Sequence, residues 1–174
     1  MLDDLADLAR RVMLVGELWI QRRKRGDSMT GEQELLKLIA ESREAVLAVV
    51  KANGYPHLSN VFYVWNEQER TARISTTADR VKARILQRDR HAALHVPGPH
   101  FWSYAVAECD AQTSAVATTP GDDACRELLE VHSAFYGDLD EAEFFEQMID
   151  ARRLVARLRV RRLYGVALDR PSGG

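Results

Sequence analysis

Residues 71–89 read TARISTTADRVKARILQRD, and the hydrophobic period changes partway along them. The first part, residues 71–77, is rich in β-branched side chains and predicts a strand. From residue 78 to residue 89 the apolar side chains recur at helical spacing, which predicts a helix. A helix that directly follows a strand, in a chain with several other predicted strands, indicates an α+β fold.

The junction between this strand and this helix concentrates hydroxyl and basic side chains. In order they are Ser75, Thr76, Thr77, Arg80, Lys82, Arg84 and Arg88. Backbone N–H groups at a helix start point toward one place, and the helix dipole favours negative charge there. With Arg80 and Lys82 as fixed cations, the junction predicts a phosphate site without a glycine-rich loop. The alternative that stays open is a solvated cationic helix face without a ligand.

The rest of the chain continues the mixture of strands and helices. The pattern predicts helices over 31–42, 122–136 and 140–151 and strands over 45–50, 55–65, 92–96, 102–113 and 154–166. Asn53 and Gly54 predict a hairpin turn, and Thr119 and Pro120 are predicted to cap and start the first helix of the C-terminal pair. The predicted fold class is α+β, a split β-barrel of about six mostly antiparallel strands with flanking helices.

Composition limits the function further. The 174 residues have room for one main domain, and the net charge of −2 with a pI near 6.2 argues against a dedicated nucleic-acid binder. Cys109 and Cys125 stand in no metal-binding spacing, and neither His91 nor His132 does, so no metal site is predicted. Two isolated cysteines favour a reducing, cytoplasmic location.

The N-terminal residues 1–28 form a separate stretch, with apolar side chains at helical spacing and basic residues after them. This pattern predicts an amphipathic helix that packs on the domain or on a partner, or a natural start at Met29 with an over-extended reading frame. Membrane association is not expected, because membrane-surface helices need a stronger amphipathic pattern. The main domain is predicted over residues 29–168, followed by a flexible tail over 169–174.

Four motifs resemble those of the pyridoxamine 5′-phosphate oxidase-like split-barrel superfamily. They are PHLSNV (56–61), STTADRVK (75–82), LQRD (86–89) and WSYAVAE (102–108). LQRD and WSYAVAE are similar to one branch in particular, the flavin/deazaflavin oxidoreductases of actinobacteria, many of which use coenzyme F420. The resemblance runs over residues 35–168 and includes RRL (152–154) and the closing LYGV (163–166).

This resemblance implies a split-barrel homodimer with two cofactor sites in its interface. The residues it assigns to the cofactor are Pro56, His57, Asn60, Ser75, Thr76, Thr77, Arg80, Lys82, Arg84 and Trp102. Arg80 and Lys82 would hold the phosphate, and Trp102, with Tyr104, would reach across from the second subunit. Many relatives have glutamine or a similar polar residue where this chain has His57, so the contact at the ring stays open.

The activity that the resemblance implies is coenzyme F420-dependent hydride transfer to or from a small organic substrate. His57 or Tyr63 is a candidate proton donor, although each could instead be structural. A pocket shaped by Tyr55, Phe62, Trp102 and residues 97–101 would suit a partly apolar or aromatic substrate. The alternatives are an FMN-dependent oxidase of pyridoxamine 5′-phosphate oxidase type and a non-catalytic flavin- or deazaflavin-binding protein.

Overall fold

The computed structural model describes residues 31–137 and 139–167. The chain forms, in order, α1 (Gly31–Glu41), β1 (Glu44–Val50), β2 (Pro56–Phe62), β3 (Val64–Asn66), β4 (Thr71–Thr77), α2 (Val81–Arg88), β5 (His91–Pro97), β6 (Tyr104–Thr113), α3 (Asp123–Ser133), α4 (Glu141–Asp150) and β7 (Arg153–Val166). The extension predicted over residues 1–28 and the tail predicted over 169–174 lie outside the described residues.

The strands form one antiparallel seven-stranded sheet in the order β2-β1-β5-β6-β7-β4-β3. β2 and β3 occupy opposite edges of this sheet, yet Tyr63 alone separates them along the chain. Two edges joined so closely must approach each other, so the sheet curls into a half-barrel and brings β2 near β4. The predicted α+β split-barrel class is therefore confirmed.

The strand predicted over residues 55–65 is in fact two strands, which is why the sheet has seven strands rather than about six. Tyr63 ends the pairing of β2 with β1: its N–H donates to the carbonyl oxygen of Arg43 at 2.9 Å. Its hydroxyl donates to the carbonyl oxygen of Ile39 at 2.6 Å, and the side chain is fully buried. A long alternating pattern continues through this position, so the sequence shows no break there.

The main core lies inside the curled sheet. Leu35 and Ile39 of α1 pack into it, and on β6 the residues Ala105, Ala107 and Ala111 are fully buried. Alanine side chains leave room for an element to approach the strand closely, and both α1 and α2 contact β6.

A second cluster holds α3 and α4 against the outer face of β4 and β7. Leu128 and Phe144 pack there with Val155 of β7. Arg157 of β7 donates from Nε to Oε1 of Glu127 on α3 at 2.6 Å, within a bidentate pair. These contacts place one side of the α3–α4 pair beside the edge of the sheet.

The start of α3 differs from the prediction that Thr119 caps it and Pro120 begins it. Asp122 is the N-cap, and its carboxylate accepts from the N–H of Cys125 at 2.7 Å and from that of Thr118 at 3.0 Å. These backbone bonds lower the pKa of Asp122 to about 2. A carboxylate is the stronger acceptor and also suits the positive end of the helix, which explains why it displaces the threonine.

Candidate functional site

A cavity of about 1060 Å³ opens where the two edges of the sheet approach each other. Its walls come from β1 and β2 on one side, from β4, the start of α2 and the start of β7 on another, and from α3 and α4. Because these elements are far apart in sequence, the cavity depends on the complete curl of the sheet.

The N-terminus of α2 faces this cavity and lacks a side-chain cap. Its N-cap is Arg80, with φ −65° and ψ 141°, and no acidic residue occupies its first turn. In contrast, α3 and α4 are capped by the carboxylates of Asp122 and Asp140. The first N–H groups of a helix need acceptors from elsewhere when no side chain supplies them. The start of α2 is therefore suited to an external anion.

Three basic side chains line the cavity near this helix start, Arg80, Lys82 and Arg153, which we call the cationic cluster. Within residues 31–137 and 139–167, none of them forms a salt bridge with a carboxylate. Burial lowers the pKa of Lys82 below its ordinary value, and repulsion from Arg80 lowers it further. A partly desolvated cation beside a second cation indicates a site for negative charge.

Arg153 also belongs to the cluster, although the sequence predicts no role for it. Its Nη1 donates to Oγ of Ser75 at 2.9 Å. The preceding residue, Arg152, has a left-handed φ of 51°, and its carbonyl oxygen accepts from the N–H of Ala78 at 2.9 Å. This turn carries the chain from α4 into β7 beside the junction of β4 and α2. The pairing of β4 with β7 brings Arg153 to the site, and no local motif indicates that pairing.

The cavity brings together four of the ten residues predicted to bind cofactor, namely Asn60, Ser75, Arg80 and Lys82. The other six do not line it: Pro56, His57, Thr76, Thr77, Arg84 and Trp102. Strand geometry separates the two groups in part, because successive side chains point to opposite faces. His57 lies on the face of β2 opposite Asn60, and Thr76 is buried on the face of β4 opposite Ser75.

Thr77 shares a face with Ser75, but its hydroxyl donates to the carboxylate of Asp79. That hydrogen bond is the main cause of the lowered pKa of Asp79, and the nearby charges of Arg80 and Arg84 lower it further. Asp79 is therefore ionised at neutral pH. It places one negative charge at the rim of the cationic cluster and occupies the hydroxyl of Thr77.

The two candidate proton donors lie outside the cavity lining. Tyr63 is buried in the core with its hydroxyl bonded to Ile39, and burial raises its pKa to about 12. A phenol in that position has no access to a ligand in the cavity. His57 is half-buried on the inward face of β2, and its role as a donor stays a prediction.

The side of the cavity formed by α3 and α4 is rich in rings. The aromatic wall comprises His132, Phe135, Tyr136 and Phe144, together with Phe62 of β2. Neighbouring ring centroids lie 5.8 Å apart for Phe62 and Phe135, 4.6 Å for His132 and Tyr136, and 4.9 Å for His132 and Phe144. Phe62 is among the residues predicted to shape a substrate pocket, whereas the sequence predicts no role for His132.

The described part of the chain holds no cluster of histidine, cysteine, aspartate or glutamate side chains arranged for a metal ion. Over the same residues, none of the helices is long and apolar enough to cross a membrane.

Residues 32–167 match the family model described as pyridoxamine 5′-phosphate oxidase. An F420 reductase is similar in structure at 18% identity and a TM-score of 0.57, over 74% of this chain and 94% of that one. A conserved hypothetical protein of Mycobacterium tuberculosis matches at 23% identity and a TM-score of 0.63, over 86% of this chain and 96% of that one. A heme storage protein of Vibrio cholerae matches at 16% identity and a TM-score of 0.56, over 79% of this chain and 95% of that one.

Proposed function

The chain belongs to the pyridoxamine 5′-phosphate oxidase family, and from this premise we propose that it is an oxidoreductase that uses coenzyme F420. The reaction would be hydride transfer between the deazaflavin and a small organic substrate. One observation carries the proposal: the cationic cluster lines a large cavity without a carboxylate partner among the described residues. The structural likeness to an F420 reductase supports the fold that this function requires.

The donors at the site fit the phosphate of such a cofactor. Two guanidinium groups, one ammonium group and the uncapped start of α2 all supply N–H donors to one region. Charge-assisted hydrogen bonds of this kind are the strong ones in proteins, and a bidentate guanidinium suits a phosphate particularly well. Arg80 and Lys82 would hold the phosphate, and Arg153, oriented by its bond to Ser75, would add a third cation.

The remaining residues would orient the ligand and exclude water. Val46 and Asn60 are direct partners across β1 and β2, and both line the cavity. Asn60 would offer its amide to the polar edge of a ring system, and Val46 would contact the ring face. When bound, the reduced deazaflavin supplies the hydride, so the protein needs no catalytic triad. The α3–α4 pair covers one side of the cavity and limits the access of water.

The row of cations along α2 favours the deazaflavin over FMN. Arg84 and Arg88 are exposed on this helix, and neither forms a salt bridge within the described residues. Coenzyme F420 carries a phosphodiester and an oligoglutamate tail, which would meet these arginines. FMN ends at one phosphate, so the cationic cluster alone would suffice for it. An FMN-dependent oxidase is therefore the second candidate, and a non-catalytic cofactor carrier is the third.

We also propose that the protein acts as a cytoplasmic homodimer. Leu58 and Phe62 lie on the outward face of β2, one on each side of Asn60, and are 61% and 59% exposed, which is high for large apolar side chains. Exposed apolar patches of this kind are typical of interfaces. Trp102, 61% exposed at the β5–β6 turn, would then be available to a second subunit. Sedimentation velocity on the purified protein tests this assembly.

The test of function is a fluorescence titration of the full-length protein with coenzyme F420 and, separately, with FMN. We expect micromolar binding of the deazaflavin and weaker binding of FMN. Arg159→Ala is the matched control for Arg153→Ala in this titration, because Arg159 is an exposed arginine of β7 outside the cavity. Preference for FMN would select the oxidase, and binding of neither compound would leave the cationic cluster as a solvated surface. Oxidation of bound reduced F420 by an added acceptor would separate an enzyme from a carrier.

A further inference from the structure

We propose that the aromatic wall is the substrate site, and that it takes a planar aromatic compound bearing a carbonyl oxygen, which His132 recognises. The identification of this ligand as substrate rests on the proposed function, whereas its binding does not.

The cavity has room for a second small molecule beside a cofactor. At about 1060 Å³ it lies at the upper limit of single small-molecule sites, which range over about 300–1,000 Å³. Its lining is also divided. The cationic cluster comes from α2 and β7, whereas the aromatic wall comes mainly from α3, the residues just after it and α4. A phosphate-bearing cofactor anchored at the cations would leave the aromatic side for a second molecule.

The rings form one connected surface from the sheet to the helices. Phe62 contacts Phe135 edge to face, Phe135 contacts Tyr136 at 6.3 Å, and Tyr136 contacts His132. Tyr136 is nevertheless 62% exposed, and Phe62 is exposed to a similar extent. Large rings that contact each other and still remain exposed offer area for a flat ligand, since aromatic pairs are stabilised beyond simple burial.

The position of the wall is fixed by a contact outside the cavity. Arg43 donates from Nη1 to the carbonyl oxygen of Ala134 at 2.5 Å, just beyond the C-terminus of α3. Its guanidinium also lies 5.2 Å from the centroid of Phe135. A cation at a helix C-terminus is favourable, and here it also holds Phe135 against β2. The wall is therefore built before any ligand arrives.

Two members of this surface carry polar groups, His132 and Tyr136, and His132 is the more buried of the two. Its ring contacts Tyr136 and Phe144, and within the described residues its nitrogens have no hydrogen-bond partner. A half-buried imidazole between rings retains one N–H donor that a ligand oxygen can satisfy. An aromatic ketone suits both the rings and the imidazole of this site. Its rings would cover the aromatic wall, and its carbonyl oxygen would accept a hydrogen bond from His132. Such a contact also gives specificity, since a site built to hydrogen-bond rejects the analogue that lacks the group.

The test uses two ligands of matched shape, 2-acetylnaphthalene and 2-ethylnaphthalene, which differ at the carbonyl. Equilibrium dialysis with the full-length protein, with and without coenzyme F420, measures their affinities. We expect His132→Phe to weaken the ketone about tenfold and to leave the hydrocarbon unchanged, because only the ketone loses a hydrogen bond. Tyr136→Ala should weaken both ligands, and the control Tyr164→Ala, at an exposed ring outside the cavity, should weaken neither. His132→Leu gives the same expectation as His132→Phe if the latter variant fails to fold.

The outcomes separate this proposal from the proposed function. Absence of ketone binding, or equal loss of ketone and hydrocarbon in His132→Phe, would overturn the proposal even if F420 binds. Ketone binding with the expected pattern in a protein that binds no F420 would support the aromatic site while the proposed function fails.

Discussion

Arg153 donates a hydrogen bond of 2.9 Å to the hydroxyl of Ser75 across 78 positions of the chain. Both side chains line the cavity, and the bond holds the guanidinium toward the region where Arg80 and Lys82 lie. The two residues belong to paired strands, with Ser75 opposite Val155 and Thr77 opposite Arg153. The cationic cluster is thus assembled by sheet pairing rather than by a continuous motif.

We expect Arg153→Ala to weaken binding of the phosphate-bearing cofactor by about 1.5–3 kcal/mol, the usual contribution of a charge-assisted hydrogen bond. Arg153→Lys should restore only part of this loss, because an ammonium group lacks the planar donors of a guanidinium. Fluorescence titration measures the affinities. Equal affinity in Arg153→Ala and the wild type would remove Arg153 from the site.

As pH rises, cofactor affinity should begin to fall at a lower pH than it would if Lys82 had the pKa of an ordinary lysine. Burial and the charge of Arg80 hold the pKa of Lys82 below 10.5, so the residue loses its proton before a solvated lysine does. The anion binds the protonated form, and affinity therefore decreases as pH rises through the lowered pKa. Lys82→Arg keeps its charge over this range and should flatten the decline. Comparing the wild type with Lys82→Arg removes the contribution of the other titrating groups, which both proteins share. Matching pH profiles would contradict the assignment of Lys82 to the cofactor site.

Tyr63→Phe should lower the free energy of unfolding by about 1–3 kcal/mol, because it leaves the buried carbonyl of Ile39 without its donor. Tyr136→Phe is the control, since Tyr136 is exposed and should change stability by less than about 0.5 kcal/mol. Urea denaturation provides both values. In the wild type, burial raises the pKa of Tyr63 from 10.0 to about 12, so the stability that the neutral phenol contributes is lost between these two values as pH rises. Equal effects of the two substitutions would argue against the buried bond.

Gly165→Ala should destabilise the protein by about 3 kcal/mol, through backbone strain and a steric clash. Gly165 has φ +144°, and a Cβ there would lie 2.2 Å from the carbonyl oxygen of Tyr104 on β6. Gly137→Ala serves as the control, because a Cβ at that position meets no atom within 4 Å. Thermal unfolding of both variants decides the question. A stable Gly165→Ala protein would mean that β6 and β7 separate there without cost.

The sequence predicts the elements well where the hydrophobic period changes, as it does between β4 and α2. It fails at Tyr63, because alternation continues through that residue while the chain leaves one edge of the sheet for the other. It also assigns Ser75, Thr76 and Thr77 to the cofactor together, although consecutive strand residues cannot share a face. Arg153 and His132 reach the cavity only through β4–β7 pairing and the docking of α3. Such long-range contacts leave no local pattern in the chain.

The single residue between β2 and β3 also has a consequence for the order of folding. The entropy lost on closing a loop grows with its length. Because only Tyr63 joins β2 to β3, bringing these two edge strands together costs little entropy. The interior pairing of β4 with β7 joins residues as far apart as Ser75 and Arg153, and topology of this kind slows folding. We therefore expect the β2–β3 connection to form early and the β4–β7 pairing to form late. An anion held by the cationic cluster would therefore bind only the completed chain and pull the folding equilibrium toward it.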